Sequence, residues 1–315
     1  MASHNGTARH WTWDSALSGV VPPLISPLNT DGSIDRGGLR ALIEYLIENG
    51  CTGLFMSGGC GEGPWLTNTQ RAELIVAAVA IAAGRVPVLA GIMLPSTAPA
   101  IDAAHKVAEA GADSLIVTSP YYFGVSADDQ RRHVEGIMAA IDLPVLLYNI
   151  PSCTYAALAP STVAKLATER RIIGIKDSAG NFQAFLEMVA IKRLRPDFRV
   201  LQGIEHLSSA SLLQGGDGLV PGLGNVAPAL FVAVRKAAAA GDAAACARLQ
   251  ETILDLASVY GQADGFLPSL KGACSVLGMG SGLPAAPGIA ANDAQRAKIA
   301  AILQRLGIAR GSKVA

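Results

Sequence analysis

Short apolar, β-branched runs alternate with helix-period stretches along nearly the whole chain, and this alternation restricts the fold more than any other feature. The runs at 20–25, 53–56, 86–91, 114–118, 144–148, 172–176, 199–202 and 218–220 read as strands. Between them, Leu39, Leu42, Ile43, Leu46 and Ile47 fall on one helical face. Further helices are expected over 69–83, 98–110, 127–140, 160–168, 182–194 and 207–214. Asn49-Gly50, Ala83-Gly84 and Ala110-Gly111 supply C-terminal glycines, while Asp35, Asn68 and Asp128 can act near N-termini. Strands alternating with helices imply parallel βα units. Roughly eight strands within about 220 residues favour a closed (β/α)8 TIM barrel, with an open doubly wound sheet as the alternative. The expected organisation is an N-terminal extension over 1–18, the barrel over 19–240, and C-terminal helices over 241–315 packed on it. Those helices read as 242–260, 265–277 and 292–306.

Half the residues are apolar and 16% are charged, enough for a sizeable core. Lys+Arg and Asp+Glu both number 25, which leaves no electrostatic footprint for nucleic acid and no basic face for an anionic membrane. Apolar stretches at 74–84 and 86–101 are split by Arg85 and broken by prolines, so neither supports a membrane span. The expected ligand is a small molecule or another protein. Cys51, Cys60, Cys153, Cys246 and Cys274 are widely spaced, with no C-x-x-C and no Cys/His cluster. That pattern argues against a disulfide framework and a zinc site, and it suits a reducing cytoplasm. The first 18 residues are largely polar, include Trp11 and Trp13, and lack the apolar segment of a secretion signal.

In a parallel barrel the chemistry gathers at the C-terminal strand ends. Two strand-end residues stand out: Tyr148, closing Leu143-Pro144-Val145-Leu146-Leu147-Tyr148, and Lys176, closing Ile172-Ile173-Gly174-Ile175-Lys176. Adjacent strands lie about 4.8 Å apart, so the two side chains can meet if both point inward. Strict alternation puts Ile172, Gly174 and Lys176 on one side and Ile173, Ile175 and Asp177 on the other. Gly174 would then leave space beneath Lys176, and Asp177 would point away from it. An inward lysine is partly desolvated and can act as a nucleophile, with the Tyr148 phenol moving protons or binding an oxyanion. Read singly, Lys176 is also an ordinary solvent-reaching lysine and Tyr148 an ordinary packed aromatic.

The second strand runs into Ser57-Gly58-Gly59-Cys60-Gly61-Glu62-Gly63, where four glycines permit close backbone approach and unusual dihedrals. Such a loop is either an anion-binding turn, suited to a carboxylate, or a purely structural one. The glycine clusters at 215–218 and 222–225 read as tight turns, since no phosphate signature accompanies them.

Taken together, these elements resemble the dihydrodipicolinate synthase / N-acetylneuraminate lyase family of Schiff-base barrel enzymes. The resemblance rests on Gly-Val-Val-Pro-Pro-Leu-Ile-Ser-Pro-Leu at 19–28, Gly58-x-x-Gly61-Glu62, Pro120-Tyr121-Tyr122, Tyr148-Asn149-Ile150-Pro151-Ser152 and Gly174-Ile175-Lys176-Asp177-Ser178-x-Gly180. It extends from about Gly19 to the C-terminal helices. The resemblance implies a Schiff base between Lys176 and pyruvate or another 2-oxo acid, proton transfer by Tyr148, and a carboxylate held at Gly59 and Cys60. It further implies that Gly203 and Val220 line the pocket and that Ser178 and Glu205 touch the distal part of the substrate. Tyr122 matches an aromatic that in dihydrodipicolinate synthases reaches into a neighbouring subunit's site, and such relatives are commonly homotetramers, or dimers of dimers. No metal or organic cofactor is implied.

Two departures bear on the substrate. Dihydrodipicolinate synthases usually carry two threonines where this chain has Gly59 and Cys60, so their Tyr–Thr–Tyr proton relay cannot be assembled in its usual form. They also carry an arginine where this chain has Cys153, and a neutral thiol cannot make an arginine's bidentate contact with a carboxylate. Cys60 and Cys153 are expected near the pocket as small fillers, and His206 receives no role. The residues 203–206 match the sialic-acid lyase pattern only in part. The expected activity is therefore a class I aldolase acting on a 2-oxo acid and distinct from true dihydrodipicolinate synthase. A dehydratase or deaminase of 3-deoxy-2-oxo sugar acids would use the same lysine, and a non-catalytic 2-oxo-acid-binding barrel is the alternative of another class.

Overall fold

The computed structural model describes residues 9–309. Residues 1–8 of the expected extension and 310–315 of the expected C-terminal region lie outside the described residues. Seven strands form one parallel sheet in chain order: β1 (Leu54–Met56), β2 (Val88–Ile92), β3 (Ser114–Thr118), β4 (Val145–Asn149), β5 (Ile172–Asp177), β6 (Arg199–Gln202) and β7 (Gly218–Leu219). Each corresponds to a run read as a strand in the sequence. The segment 20–25, also expected as a strand, is not a continuous one. Pro22 and Pro23 each lack the N–H that a ladder needs, so only isolated bridges remain. Val20 bridges Leu219 and Pro23 bridges Phe55, both in the parallel sense. The Val21 N–H donates to the Leu219 carbonyl at 2.8 Å, and the Leu24 N–H to the Phe55 carbonyl at 2.8 Å. The segment thus bonds to both edges of the sheet, β7 on one side and β1 on the other.

Helices fill the connections, and their caps explain where they start. Asp35 accepts from the Gly38 N–H at 2.8 Å ahead of helix Arg36–Glu48. Two expected caps move by one or two residues. Thr67, rather than Asn68, caps helix Asn68–Ala82 in a reciprocal box with Gln70. Ser126, rather than Asp128, caps helix Ala127–Ala140 in the same way with Asp129. Gly50, Gly84 and Gly111 take φ of 85°, 74° and 94°, the left-handed stops expected of them. After β7, helix Pro228–Ala239 lies outside the helices expected from periodicity, and helices Ala243–Ala257, Phe266–Val276 and Asp293–Arg305 follow it.

The core has two layers. Val21, Phe55, Leu89, Ile116, Leu146, Tyr148, Leu201 and Val220 pack together on the concave face of the sheet, and a larger layer lies between strands and helices. Leu17, from the short helix Trp13–Leu17, joins the concave cluster, and Thr52 Oγ1 donates to the Ala16 carbonyl at 2.7 Å. Full burial of a Leu or Phe of this kind contributes about 1.5–3 kcal/mol.

One sequence expectation fails at the start of β5. Val145 pairs with Ile172 but Leu146 pairs with Gly174, so the register shifts at a bulge. Ile172 consequently packs in the helix-side layer and Ile173 against the concave cluster, the reverse of strict alternation. Gly174 leaves no space beneath Lys176. A Cβ there would sit 2.2 Å from the Arg199 carbonyl oxygen, so this glycine admits the neighbouring strand. No helix among the described residues is long and apolar enough to cross a membrane.

Candidate active site

Beyond the bulge the register is regular, and Tyr148 stands opposite Lys176. The Lys176 Nζ lies 4.0 Å from the centroid of the Tyr148 ring and 5.1 Å from that of Phe55. Both residues are nearly sealed from solvent, Lys176 at 3% and Tyr148 at 4% exposure. No carboxylate pairs with this amine among the described residues, so its neighbours are aromatic faces. Free of an ion pair, the nitrogen lone pair is open to an electrophile once the proton leaves. Space for the lysine stem comes from Gly203: a Cβ there would lie 2.8 Å from Lys176 Cε and 2.1 Å from Ser178 Oγ. Val220 is buried in the same concave cluster.

Asp177 faces the other way, as alternation near the strand end requires. Its Oδ1 accepts from Asn149 Nδ2 at 2.7 Å, and Asn149 Oδ1 accepts in turn from the Leu158 N–H at 2.9 Å. Burial raises the Asp177 carboxyl above its usual range, against the opposing hydrogen bond from Asn149.

The loop after β1 is built differently from what its glycines suggest. Left-handed φ values fall on Ser57 (54°) and Glu62 (58°), not on the glycines. The glycines serve close approach instead. Added Cβ atoms would lie 2.8 Å from the Phe55 ring at Gly58, 2.7 Å from the Leu24 carbonyl oxygen at Gly61, and 2.0 Å from the Ser57 carbonyl oxygen at Gly63. Gly59 is the exception, exposed and with nothing within 4 Å of an added Cβ. Buried charges anchor the loop. Glu62 Oε2 pairs with Lys271 Nζ at 2.5 Å, and Glu62 Oε1 accepts from the Ala285 N–H at 2.6 Å. Lys271 also donates to the Ser26 carbonyl at 2.8 Å, and burial lowers its pKa despite the attraction of Glu62. On the far side, Arg71 donates to the Gly63 carbonyl at 2.6 Å. Asn225 ties the loop at 222–225 to the first segment, donating to the Pro23 carbonyl at 2.9 Å and accepting from the Ile25 N–H at 3.1 Å.

No local pattern in the sequence points to Lys271, Arg71, Asn225 or Tyr260. Glu62 stands out in the sequence only within Gly58-x-x-Gly61-Glu62, and its partner Lys271 lies 209 residues away with no local signal. Near the loop, Cys60 is buried and its thiol is pushed up to about 12, chiefly by desolvation, with Lys176 opposing and Glu205 assisting. It is a filler rather than an activated thiol. Glu205 stands just beyond β6, where its Oε1 accepts from Tyr260 at 2.8 Å and from the Leu223 N–H at 3.2 Å. Ser178, Gly203, Val220, Cys60 and Glu205 thus gather around the strand ends with Lys176 and Tyr148. Tyr122 and Cys153 do not join them: Tyr122 is 81% exposed and Cys153 is exposed on the rim. His206 is exposed as well. A cavity of about 410 Å³ lies at the opposite ends of the strands, bordered by Val88, Asp113 and Leu143.

The family model described as "Dihydrodipicolinate synthetase family" matches residues 16–306. The chain is 35% identical over 265 residues to the probable 2-dehydro-3-deoxy-D-pentonate aldolase YjhH of Escherichia coli (strain K12), covering 84% of this chain and 88% of that protein. It is 36% identical over 240 residues to a 4-hydroxy-tetrahydrodipicolinate synthase of Methylibium petroleiphilum, covering 76% and 81%. Among solved structures, it resembles YagE, a prophage protein of the dihydrodipicolinic acid synthase family from E. coli K12 in complex with pyruvate. That match has a TM-score of 0.87 and 33% identity, covering 92% of this chain and 98% of the other.

Proposed function

The chain belongs to the dihydrodipicolinate synthetase family, and from that premise we propose that it is a class I aldolase whose Lys176 forms a Schiff base with a 2-oxo acid. One observation carries the reading: a sealed amine, 4.0 Å from the Tyr148 ring centroid and, among the described residues, without a carboxylate partner. In the cleavage direction, the neutral amine adds to the C2 carbonyl of a 4-hydroxy-2-oxo acid, and loss of water leaves an iminium. A base then takes the C4 hydroxyl proton, the C3–C4 bond breaks, and its electrons flow into the iminium. An aldehyde leaves, and the remaining enamine is protonated at C3. Water then releases pyruvate and restores the amine. Tyr148 is the group beside Nζ able to carry these protons. The backbone N–H groups at Gly59 and Cys60 are assigned to the 2-oxo acid's carboxylate.

The substrate is read as a 3-deoxy-2-oxo sugar acid rather than the dihydrodipicolinate synthase pair. Support comes from the neutral Cys153 in place of an arginine and from the similarity to YjhH. We assign the architecture as a (β/α)8 barrel over 19–240, with the segment 20–25 as its eighth stave, and C-terminal helices over 241–315. The bonds from Val21 and Leu24 to both sheet edges support that closure. A homotetramer or dimer of dimers, with the exposed Tyr122 and Phe123 at a subunit contact, and a cytoplasmic location, in keeping with five free cysteines, belong to the same reading.

Borohydride reduction in the presence of pyruvate, followed by peptide mass spectrometry, tests it. A reduced pyruvyl adduct on Lys176 is expected, and Lys176→Ala is expected to lose both adduct and turnover. Absence of an adduct with every 2-oxo acid tried would overturn the Schiff-base assignment. A dehydrated 2-oxo acid of unchanged carbon skeleton, in place of pyruvate plus aldehyde, would replace the aldolase with a dehydratase.

A further inference from the structure

Tyr260 has no place in the scheme above, yet its phenol is spent on the candidate site. It comes from the turn Ser258–Gly261, just after helix Ala243–Ala257, so it belongs to the appended helices rather than to a strand end. Its ring packs against Phe266 with centroids 4.8 Å apart. Its hydroxyl donates to Glu205 Oε1 at 2.8 Å, the same oxygen that accepts from the Leu223 N–H at 3.2 Å. Both donors therefore fall on one oxygen. Glu205 Oε2 accepts no hydrogen bond from the described residues.

Two further contacts make this arrangement specific. The Glu205 carbonyl accepts from Gln250 Nε2 at 3.0 Å, so the same helix that precedes Tyr260 also holds the Glu205 backbone. Gly222 leaves the room: a Cβ there would lie 2.7 Å from the Tyr260 hydroxyl and 3.3 Å from both Glu205 Oε1 and Cys60 Sγ. Carboxylate, phenol and thiol thus converge on one hydrogen-sized gap beside the loop that precedes Glu62. A carboxylate with one oxygen fixed and the other unengaged is an acceptor waiting for a donor. It also places a fixed negative charge where an incoming anion would be repelled.

We propose that Tyr260 is a positioning residue that fixes Glu205 as acceptor for a hydroxyl of the aldehyde-derived portion of the substrate. The pair thereby selects an uncharged hydroxyaldehyde over an anionic aldehyde. The inference rests on the Schiff-base reading, because it concerns the second reactant of the same site. It extends that reading by assigning a residue from outside the strand ends and a charge rule for the substrate.

The experiment separates the two claims. Borohydride trapping of pyruvate on the unmodified enzyme is read first; its failure removes the Schiff base and this inference with it. With the adduct established, condensation of pyruvate is measured with glyceraldehyde, a neutral hydroxyaldehyde, and with succinic semialdehyde, an anionic one. Tyr260→Phe is expected to raise KM for glyceraldehyde about 10-fold with kcat changed less than about 3-fold, the split that a positioning loss gives. Glu205→Gln is expected to shift the kcat/KM ratio of anionic to neutral aldehyde upward by about 10-fold, since the charge is removed and an amide oxygen remains. Circular dichroism and thermal melts confirm that each variant is folded, and Glu205→Gln keeps the test open if Tyr260→Phe does not fold. Unchanged KM in folded Tyr260→Phe, or an unchanged aldehyde ratio in Glu205→Gln, would overturn the proposal.

Discussion

The loop after β1 and the rim segments after β3 and β4 stand at the same end of the sheet but are held in opposite ways. Residues 57–63 carry two left-handed non-glycine residues, Ser57 and Glu62, each buried and the second fixed by Lys271 and the Ala285 N–H. The rim also carries two, Tyr122 (φ 80°) and Tyr155 (φ 57°), but both side chains are 81% exposed. Left-handed backbone costs about 1–2 kcal/mol per residue, so the first region offsets it with buried bonds and the second does not within one chain. The lesson concerns division of labour. Groups that meet the reacting 2-oxo acid need a rigid supporting shell, whereas exposed segments can serve partner contacts and substrate variation.

Breaking the buried anchor gives the largest expected effect. Lys271→Ala leaves the Glu62 carboxylate sealed without its cation, and loss of one member of a buried pair costs about 3–5 kcal/mol. Urea denaturation should show that loss, while Tyr122→Ser on the rim should change the monomer's stability by less than about 0.5 kcal/mol. The double variant Glu62→Gln/Lys271→Met should recover much of the loss by removing both charges. If Lys271→Ala and Tyr122→Ser cost the same, the contrast between the two regions is wrong.

The same contrast explains what could be read from the sequence. Strands, helix faces and the Lys176–Tyr148 pair follow from local periodicity plus the rule that barrel chemistry gathers at strand ends. Where chain and period agree, as in Ser114–Thr118 and Arg199–Gln202, the strand bounds match the sequence reading. Periodicity fails where one residue is inserted: the bulge opposite Val145 reverses the faces of Ile172 and Ile173, while Gly174 keeps the side it shares with Lys176. It fails again at 20–25, where Pro22 and Pro23 leave bridges in place of a ladder. The loop anchors were invisible for another reason: Glu62–Lys271 and Glu205–Tyr260 join residues 209 and 55 apart, and no spacing rule spans that distance.

Acid should weaken the fold through a helix beneath the rim. His133 in helix Ala127–Ala140 is buried, its Nδ1 3.0 Å from Thr97 Oγ1 and its Nε2 without a partner among the described residues. Burial lowers its pKa to about 4 from the ordinary 6.5. Between these values the unfolded chain binds a proton that the folded chain refuses, so stability is full above about pH 6.5 and falls as the pH drops towards 4. A shift of that size corresponds to about 3 kcal/mol. Buried Asp177 and Asp113, whose carboxyls are raised, act in the opposite sense, so the readout is a difference. Denaturation at about pH 7.5, roughly one unit above that window, and at about pH 4.5, near its lower edge, should show a smaller acid loss in His133→Gln than in the unmodified protein. Equal losses would mean that His133 is not the group being titrated.

The smallest expected effect lies inside the anchored loop, and it tests whether rigidity there is uniform. Gly58 and Gly59 are adjacent and neither has a left-handed φ, yet a Cβ at Gly58 would press to 2.8 Å of the Phe55 ring while one at Gly59 meets nothing within 4 Å. Phe55 is sealed and stands edge-on to Tyr148, with centroids 6.1 Å apart, so it cannot retreat without moving the concave cluster. Gly58→Ala should therefore cost about 1–3 kcal/mol, the usual penalty for overpacking a filled core. Gly59→Ala should be neutral or slightly stabilising, by up to about 1 kcal/mol, because it only restricts the unfolded chain. Thermal melts of the two single variants, compared at equal pH, read that difference directly. A destabilised Gly59→Ala would mean that the loop needs both glycines for its conformation.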